Sequence, residues 1–388
     1  MNPPNDKPHR IFMIAGEASG DLHGANLVKA LQGKKPNIVF SGIGGKAMQD
    51  AGVKIVVDAA TLSVVGITEV FSKLPGILSG MAAAKSFLKN SRPDLLILID
   101  FPDFNLRIAA VAKKWHISVL FYISPQIWAW RSGRVTKIGR LVDHIAVILP
   151  FEASFYRKHH IPVTFVGHPL LDEFRVPLPS PTHPLQDYPP VIGLLPGSRE
   201  SEIFRLLPVM LQAARILSRQ MDIRFVVSMA PGAPHDAIKA LCLPFQNDLH
   251  LEIDLNGARS VFAKTHLVVA ASGTVTLEAA IAGTPVIIIY KVSPLSYRLG
   301  KALIKVKHIG LVNLIAEREI VPELIQDRAS PELIAETVLK LVNTPSALEA
   351  IRHAFADVRK RLGGPGASSR VADIALNMLN KDRPKSEG

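Results

Sequence analysis

Two short stretches of this chain have the residues to hold a diphosphate. Pro196-Gly197-Ser198-Arg199 follows the apolar run VIGLL, and Ser272-Gly273-Thr274 follows HLVVAA. Each run reads as a strand and each turn leads into a helical pattern. Small residues at such a junction let the unpaired N–H groups of the helix start approach an anion, and the helix dipole favours phosphate there. Ser198 is placed to cap, and Arg199 offers a guanidinium fork suited to a diphosphate. Glu278 falls one turn into the second helix, within reach of a sugar hydroxyl beside that phosphate. Taken alone, the stretch 266–290 reads equally as an ordinary strand–helix–strand crossover with a Ser/Thr cap. Two anion-ready turns in one half of the chain favour a nucleotide diphosphate. No GxxxxGK[ST] is present, so neither is a Walker loop.

The first half supplies groups for acid–base work. DLLILIDFPDFN at 94–105 delivers Asp100 at the end of an apolar strand, where parallel sheets present functional groups. Asp103 suits the cap of a helix beginning near 104, which leaves Asp100 as the candidate base. No DxD triplet occurs, and we expect neither a metal nor another cofactor. In IFMIAGEASGDLHGAN at 11–26, Glu17, Ser19, Asp21 and His23 crowd a strand end and the following helix start. They line a substrate site on one reading; on the other, Ser19 is an N-cap and His23 a solvated helix residue. The glycines at 16, 20 and 24 do not make GxGxxG, so dinucleotide binding is poorly supported. In YISPQIWAWRSGRVTKIGR, Trp128 and Trp130 interleave with Arg131, Arg134, Lys137 and Arg140. This is a patch for a phosphorylated or lipidic partner, or a loop whose tryptophans pack inward. Residues 64–90, with Val70, Phe71 and Leu74, suit a membrane surface or a core helix, and Pro75 is expected to break the segment in two.

Strands and helices must alternate to place these groups. Strands are expected at 11–15, 38–43, 54–57, 94–99, 117–122, 145–149, 163–166, 191–195, 223–228, 266–271 and 286–290. Helices are expected at 20–32, 76–90, 104–115, 151–159 and 200–218. That order is the signature of α/β architecture with doubly wound sheets. PLPSPTHPLQDYPP at 177–190 holds six prolines and reads as a linker. We therefore expect two Rossmann-like domains, 1–176 and 191–360, facing a central cleft, with 361–388 a helix and tail that returns to the first domain.

Composition bounds the function. The chain has 388 residues, 48% of them hydrophobic, enough for two packed cores. The single cysteine, Cys242, sits in an apolar run, so neither an internal disulfide nor a cysteine zinc site is expected. The polar opening MNPPNDKPHR has no signal-peptide pattern, and a reducing compartment is expected. The net charge of +12 calls for an anionic partner, but no helix-turn-helix, zinc-finger or RNA-binding signature points to nucleic acid.

AGEASGDLHGA at 15–25, GIGGKAM at 42–48, VVGITEV at 64–70, IDFPDFN at 99–105, SPQIWAW at 124–130, LPFE at 149–152, FVGHPL at 165–170, LLPGSR at 194–199, SGTVTLE at 272–278 and NLI at 313–315 together resemble the lipid-A-disaccharide synthase family. The resemblance spans about 10–320 in the family's order, with SPQIWAW and LLPGSR its most specific parts. It implies the two-domain GT-B fold and an inverting transfer from UDP-2,3-diacylglucosamine to 2,3-diacylglucosamine 1-phosphate, giving a β-1,6-linked disaccharide 1-phosphate and UDP. It implies Asp100 as base, Arg199 at the diphosphate, Glu278 at the ribose and Asn313 as a further polar site residue. It also implies a peripheral site on the anionic cytoplasmic face of a bacterial inner membrane, where basic residues help. Oligomeric assembly is left open. A UDP-N-acetylglucosamine 2-epimerase would share the fold and the diphosphate loops, but would use no second sugar and need no membrane face. A basic nucleic-acid-binding protein would explain the charge and not the loops.

Overall fold

The computed structural model describes residues 7–62, 69–130, 132–174, 189–230, 232–293, 297 and 307–381, with backbone alone at 69–74, 129, 130, 132 and 381. The proline-rich stretch expected as a linker, 177–190, falls outside it except for Pro189 and Pro190, and so does Arg131. The side chains of Val70, Phe71, Leu74 and Trp130 lie outside it as well.

Thirteen strands are described: β1 (His9–Ala15), β2 (Ile38–Gly44), β3 (Lys54–Asp58), β4 (Leu95–Ile99), β5 (Ser118–Tyr122), β6 (His144–Val147), β7 (Val163–Phe165), β8 (Val191–Leu195), β9 (Arg224–Ser228), β10 (His250–Asp254), β11 (Leu267–Ala271), β12 (Val286–Tyr290) and β13 (Glu323–Ile325). They form two wholly parallel sheets, ordered β3-β2-β1-β4-β5-β6-β7 and β10-β9-β8-β11-β12-β13. The chain divides into two compact units, one of Met1–Asp172 with Leu362–Gly388, the other of Glu173–Arg361.

Helices cover both faces of the first sheet, so its central strands are apolar on both sides. Along β4, Leu96 and Leu98 enter one core with the helices Glu69–Ser91 and Pro102–Lys114, while Leu95, Ile97 and Ile99 enter the other. That second core is closed by Ala18–Lys34 and by the last described helix, Ala367–Lys381, which contributes Val371, Ala372, Ala375 and Leu379. The helix Glu69–Ser91 runs through Pro75, where the sequence suggested a break. A helix proline loses one backbone hydrogen bond, and the turns beyond it are held by burial of Met81, Ala84 and Leu88. Among the described residues no helix is long and apolar enough to cross a membrane.

In each sheet the strand order reverses once, between β1 and β4 and between β8 and β11. Ala15 pairs with Ile99 and Leu195 with Ala270, so each pair of strands ends level. The turns after these four strands carry most of the residues singled out from sequence. Ligands of open parallel sheets bind at such points, because adjacent loops diverge there to opposite faces.

Candidate active site

In the second unit, both turns expected to hold a diphosphate line one cavity of 360 Å³. Ser198, Arg199, Ser272, Gly273, Thr274 and Glu278 all face it, joined by Glu202, Ser228 and Ala258. The volume falls within the ~300–1,000 Å³ of small-molecule sites. The helices Glu200–Ser218 and Val275–Ala282 start at its wall, and neither N-terminus is capped by a side chain. The N–H groups of Glu202, Thr276 and Leu277 turn back to Arg199, Gly273 and Thr274, and the N–H groups ahead of them are the ones that a helix start offers to an anion. Gly197 is left-handed at φ 106°, and a side chain there would also strike Glu202. Arg199 is 64% exposed at the rim and pairs with Glu202 at 3.4 Å. Ser272 donates to the Ile309 carbonyl at 3.4 Å, which fixes the turn after β11. Burial, and then the Glu173 carboxylate, push Glu278 up to about 7, against the pull of Arg259. A carboxyl so poised can accept from, or donate to, a ribose hydroxyl.

In the first unit, β4 ends in two consecutive left-handed residues, Asp100 at φ 48° and Phe101 at φ 46°. Such a conformation costs a non-glycine residue roughly 1–2 kcal/mol. The Phe101 ring lies over Gly16, where a side chain would collide with it, so glycine is required at the end of β1. Burial, and then the Glu17 carboxylate, raise Asp100 to about 6. A carboxylate with that affinity for protons suits a general base near neutral pH.

Four sequence readings change here. Asp103 does not cap: the helix begins at Pro102 after Phe101, and Asp103 pairs with Arg134 at 2.8 Å. Ser19 lies exposed inside Ala18–Lys34, whose N-cap is Glu17. Asp21 is occupied by backbone: from the first turn of Ala18–Lys34 it accepts from the N–H groups of Gly45, Ala47 and Met48 at 2.6, 2.9 and 3.2 Å, at the start of the helix Lys46–Asp50. His23 is not a solvated helix residue, since burial lowers it to about 4 and its ring meets Tyr122 edge-on.

Asn313 is also corrected. Fully buried, it donates to the carbonyl of Val321 and to Glu323, and accepts from the N–H groups of Ile320 and Val321. It fastens a turn and does not line the cavity. Trp128 takes the packing alternative: its indole N–H donates to Glu152 at 3.1 Å and its ring meets Phe151 edge-on. Glu152 itself went unnoticed in sequence. Buried at 1% exposure, it accepts from Trp128, Ser124 and the Leu149 N–H, tying LPFE to SPQIWAW, and burial pushes it up to about 7. Its signal was the N3 position after Leu149-Pro150, where a glutamate closes a capping box. Among the described residues no group of three or more His, Cys, Asp or Glu side chains is placed to hold a metal ion.

Comparison with known proteins places this geometry. Solved structures share the fold at low identity: the UDP-GlcNAc 2-epimerase from Neisseria meningitidis bound to UDP-GlcNAc, with TM-score 0.61 and 13% identity over 96% of this chain and 100% of that one, and Acinetobacter baumannii MurG, with TM-score 0.58 and 16% identity over 95% and 100%. At the sequence level, the lipid-A-disaccharide synthase of Trichlorobacter lovleyi is 46% identical over 97% of this chain and 99% of its own length. That of Coxiella burnetii is 41% identical over 95% and 98%. The family profile described as lipid-A-disaccharide synthetase matches residues 11–377, from the third residue of β1 to within the last described helix. The chain belongs to the lipid-A-disaccharide synthase family and is a glycosyltransferase of the two-Rossmann-domain type.

Proposed function

We propose that the chain transfers the sugar of UDP-2,3-diacylglucosamine to the 6-hydroxyl of 2,3-diacylglucosamine 1-phosphate. The observation that carries the donor assignment is the single cavity shared by two uncapped helix N-termini, with Arg199 at its rim. In the step, the acceptor oxygen bonds to the anomeric carbon from the face opposite UDP, and the anomeric C–O bond to the diphosphate breaks. Asp100 takes the hydroxyl proton, and UDP leaves with the bonding pair. Arg199 and the N–H groups after β8 and β11 hold the charge growing on the diphosphate, which is a stabilisation specific to the transition state. Glu278 holds the ribose, while Ser198, Ser272, Gly273 and Thr274 shape the cradle. Glu17 keeps the Asp100 proton affinity raised.

The acyl chains of both substrates put the enzyme at an anionic bilayer surface, where a net charge of +12 assists. The segment around Val70, Phe71 and Leu74, with Trp130 and Arg131, is the proposed contact. Replacing those three apolar residues with serine should lower binding to phosphatidylglycerol vesicles and leave UDP affinity unchanged.

The central test is calorimetric titration with UDP, paired with product analysis. UDP should bind the native chain and bind the Arg199→Ala and Glu278→Ala variants more weakly. Both lipid substrates together should give disaccharide and UDP. Conversion of UDP-N-acetylglucosamine alone into its 2-epimer, without disaccharide formation, would replace this reading.

A further inference from the structure

Nothing in the chemistry of a base explains why β4 ends in two left-handed residues. A glycine at 101 would allow that backbone freely, yet the residue is phenylalanine. Strain of this kind persists only where the surroundings over-determine it. Here one side chain supplies most of the restraint. Nδ2 of Asn105 donates to the Asp100 carbonyl at 2.7 Å and to the Ile99 carbonyl at 3.3 Å. The Asn105 N–H donates to the Phe101 carbonyl at 3.0 Å, and the Asp100 N–H donates to Tyr122 on the neighbouring strand. All three carbonyls of the turn therefore converge on one residue.

Asn105 is fully buried, and its Oδ1 is a buried acceptor without a partner. An unmade acceptor of that kind is costly, and a leucine would fill the same space without it. The amide is accounted for by the two carbonyls that need its donors. Opposite it, the Phe101 ring is wedged over Gly16 and stacked on Phe104 with centroids 5.3 Å apart. The turn is gripped from both sides, and its free end is the Asp100 side chain.

We infer that Asn105 is a positioning residue: by pinning the left-handed turn, it sets where the Asp100 carboxylate stands at the end of β4. The inference rests on the reading of Asp100 as the base. Without the amide, residues 100 and 101 relax to an ordinary backbone and the carboxylate swings toward water. Of the charged neighbours, Glu17 acts on Asp100 from the turn after β1, while Asp103 is tied to Arg134.

The test uses the full chain with both lipid substrates and four variants: Asn105→Leu, Asn105→Ser, Asn105→Leu combined with Phe101→Gly, and Asp100→Asn. For Asn105→Leu we expect kcat to fall about 10- to 100-fold, the loss typical of a misplaced catalytic group. UDP affinity and acceptor KM should stay near native. The acid limb of kcat, expected near pH 6 from the burial of Asp100, should move down toward the ordinary carboxylate range as water reaches the group. Adding Phe101→Gly, which makes the left-handed turn permissible without the amide, should restore much of kcat and return the limb. If Asn105→Leu does not fold, Asn105→Ser is read by the same two measures. Native kcat and limb in the Asn105 variants, with Asp100→Asn inactive, would overturn the inference and leave the base in place. A lower kcat with an unmoved limb and no recovery from Phe101→Gly would reduce Asn105 to a structural role and overturn it too. Full turnover in Asp100→Asn would remove the base reading itself, and this inference with it.

Discussion

The turn after β4 and the turn after β8 each lie where the strand order reverses in a parallel sheet, and they are built by opposite means. After β8 the chain bends at a glycine, Gly197 at φ 106°, and leaves Arg199 open to solvent. After β4 it bends at an aspartate and a phenylalanine held left-handed by a buried amide and a wedged ring. The first turn is cheap and permissive, and suits a site that must admit and release a charged nucleotide. The second is strained and closed, and suits a single carboxylate that must be partly desolvated and aimed. The same topology thus yields a cradle in one unit and a fixed tool in the other.

Substitutions can break that contrast. The largest effect is expected at Asp100. Asp100→Asn should lower kcat by about a thousand-fold, within the range for a lost general base, while UDP affinity is unchanged. Turnover should survive if the residue is only a structural element, and thermal melting would then show the loss instead. Next comes Arg199→Ala, which should lower turnover by roughly 100-fold, on the order of 3 kcal/mol, as for other lost transition-state donors. Arg199→Lys should recover little, because a point charge does not reproduce the fork. Near-native rates in the alanine variant would end the diphosphate assignment.

Two glycine variants separate the units by a crossed pattern. Gly197→Ala should weaken UDP binding, its left-handed backbone costing ~1 kcal/mol or more. Gly16→Ala should displace the Phe101 ring, lowering kcat with UDP affinity intact. Any swap of these two outcomes would contradict the division of labour. A subtler effect concerns pH. Asp100 is raised to about 6, and Glu152 and Glu278 to about 7, mainly by burial. The native state therefore holds these protons more tightly than the unfolded chain does. Their contribution to stability is full below the ordinary carboxylate range and is lost as pH rises through 6 to 7. Activity should rise over the same window, as Asp100 ionises. Melting temperature against pH, compared between the native chain and Asp100→Asn, checks the sign: the variant should lose less between pH 4 and 6. The smallest effect is expected from chelation. Excess EDTA should leave the rate within about twofold, since helix N-termini and an arginine can carry diphosphate charge. Loss of activity restored by magnesium would recast Asp100 and its neighbours as ligands.

Much of this was legible in the sequence. The central strands are continuous apolar runs such as LLILI and LVVAA, and a run of that kind between polar turns has few other readings. The edge strands of the first sheet were expected, at 54–57 and 163–166, but those of the second were missed. HLEID of β10 alternates exposed and half-buried residues, and β13 is only three residues long, so neither gives an apolar run. The diphosphate turns were readable because their chemistry is local, within four residues of a strand end. Asp21, Asn313 and Glu152 were misread or overlooked for the opposite reason. Their partners lie in other elements of the fold, at Gly45 to Met48, at Val321 and Glu323, and at Ser124 and Trp128. A polar residue in a signature motif reads as a ligand until the fold shows which backbone groups it must satisfy.

The placement of Ala367–Lys381 in the first unit has a consequence for how a ribosome delivers this protein. Translation begins the first unit, then makes the whole of the second, and only then supplies Val371, Ala372, Ala375 and Leu379, which cover one face of the first sheet. The half begun first is finished last. Until release, the nascent chain carries that core closed only by Ala18–Lys34, with its β4 and β5 side lacking the last helix, a surface that chaperones and proteases read. A premature stop just after Arg361 would therefore spare the second unit, which is already complete, and disable the first, most of which was synthesised long before it.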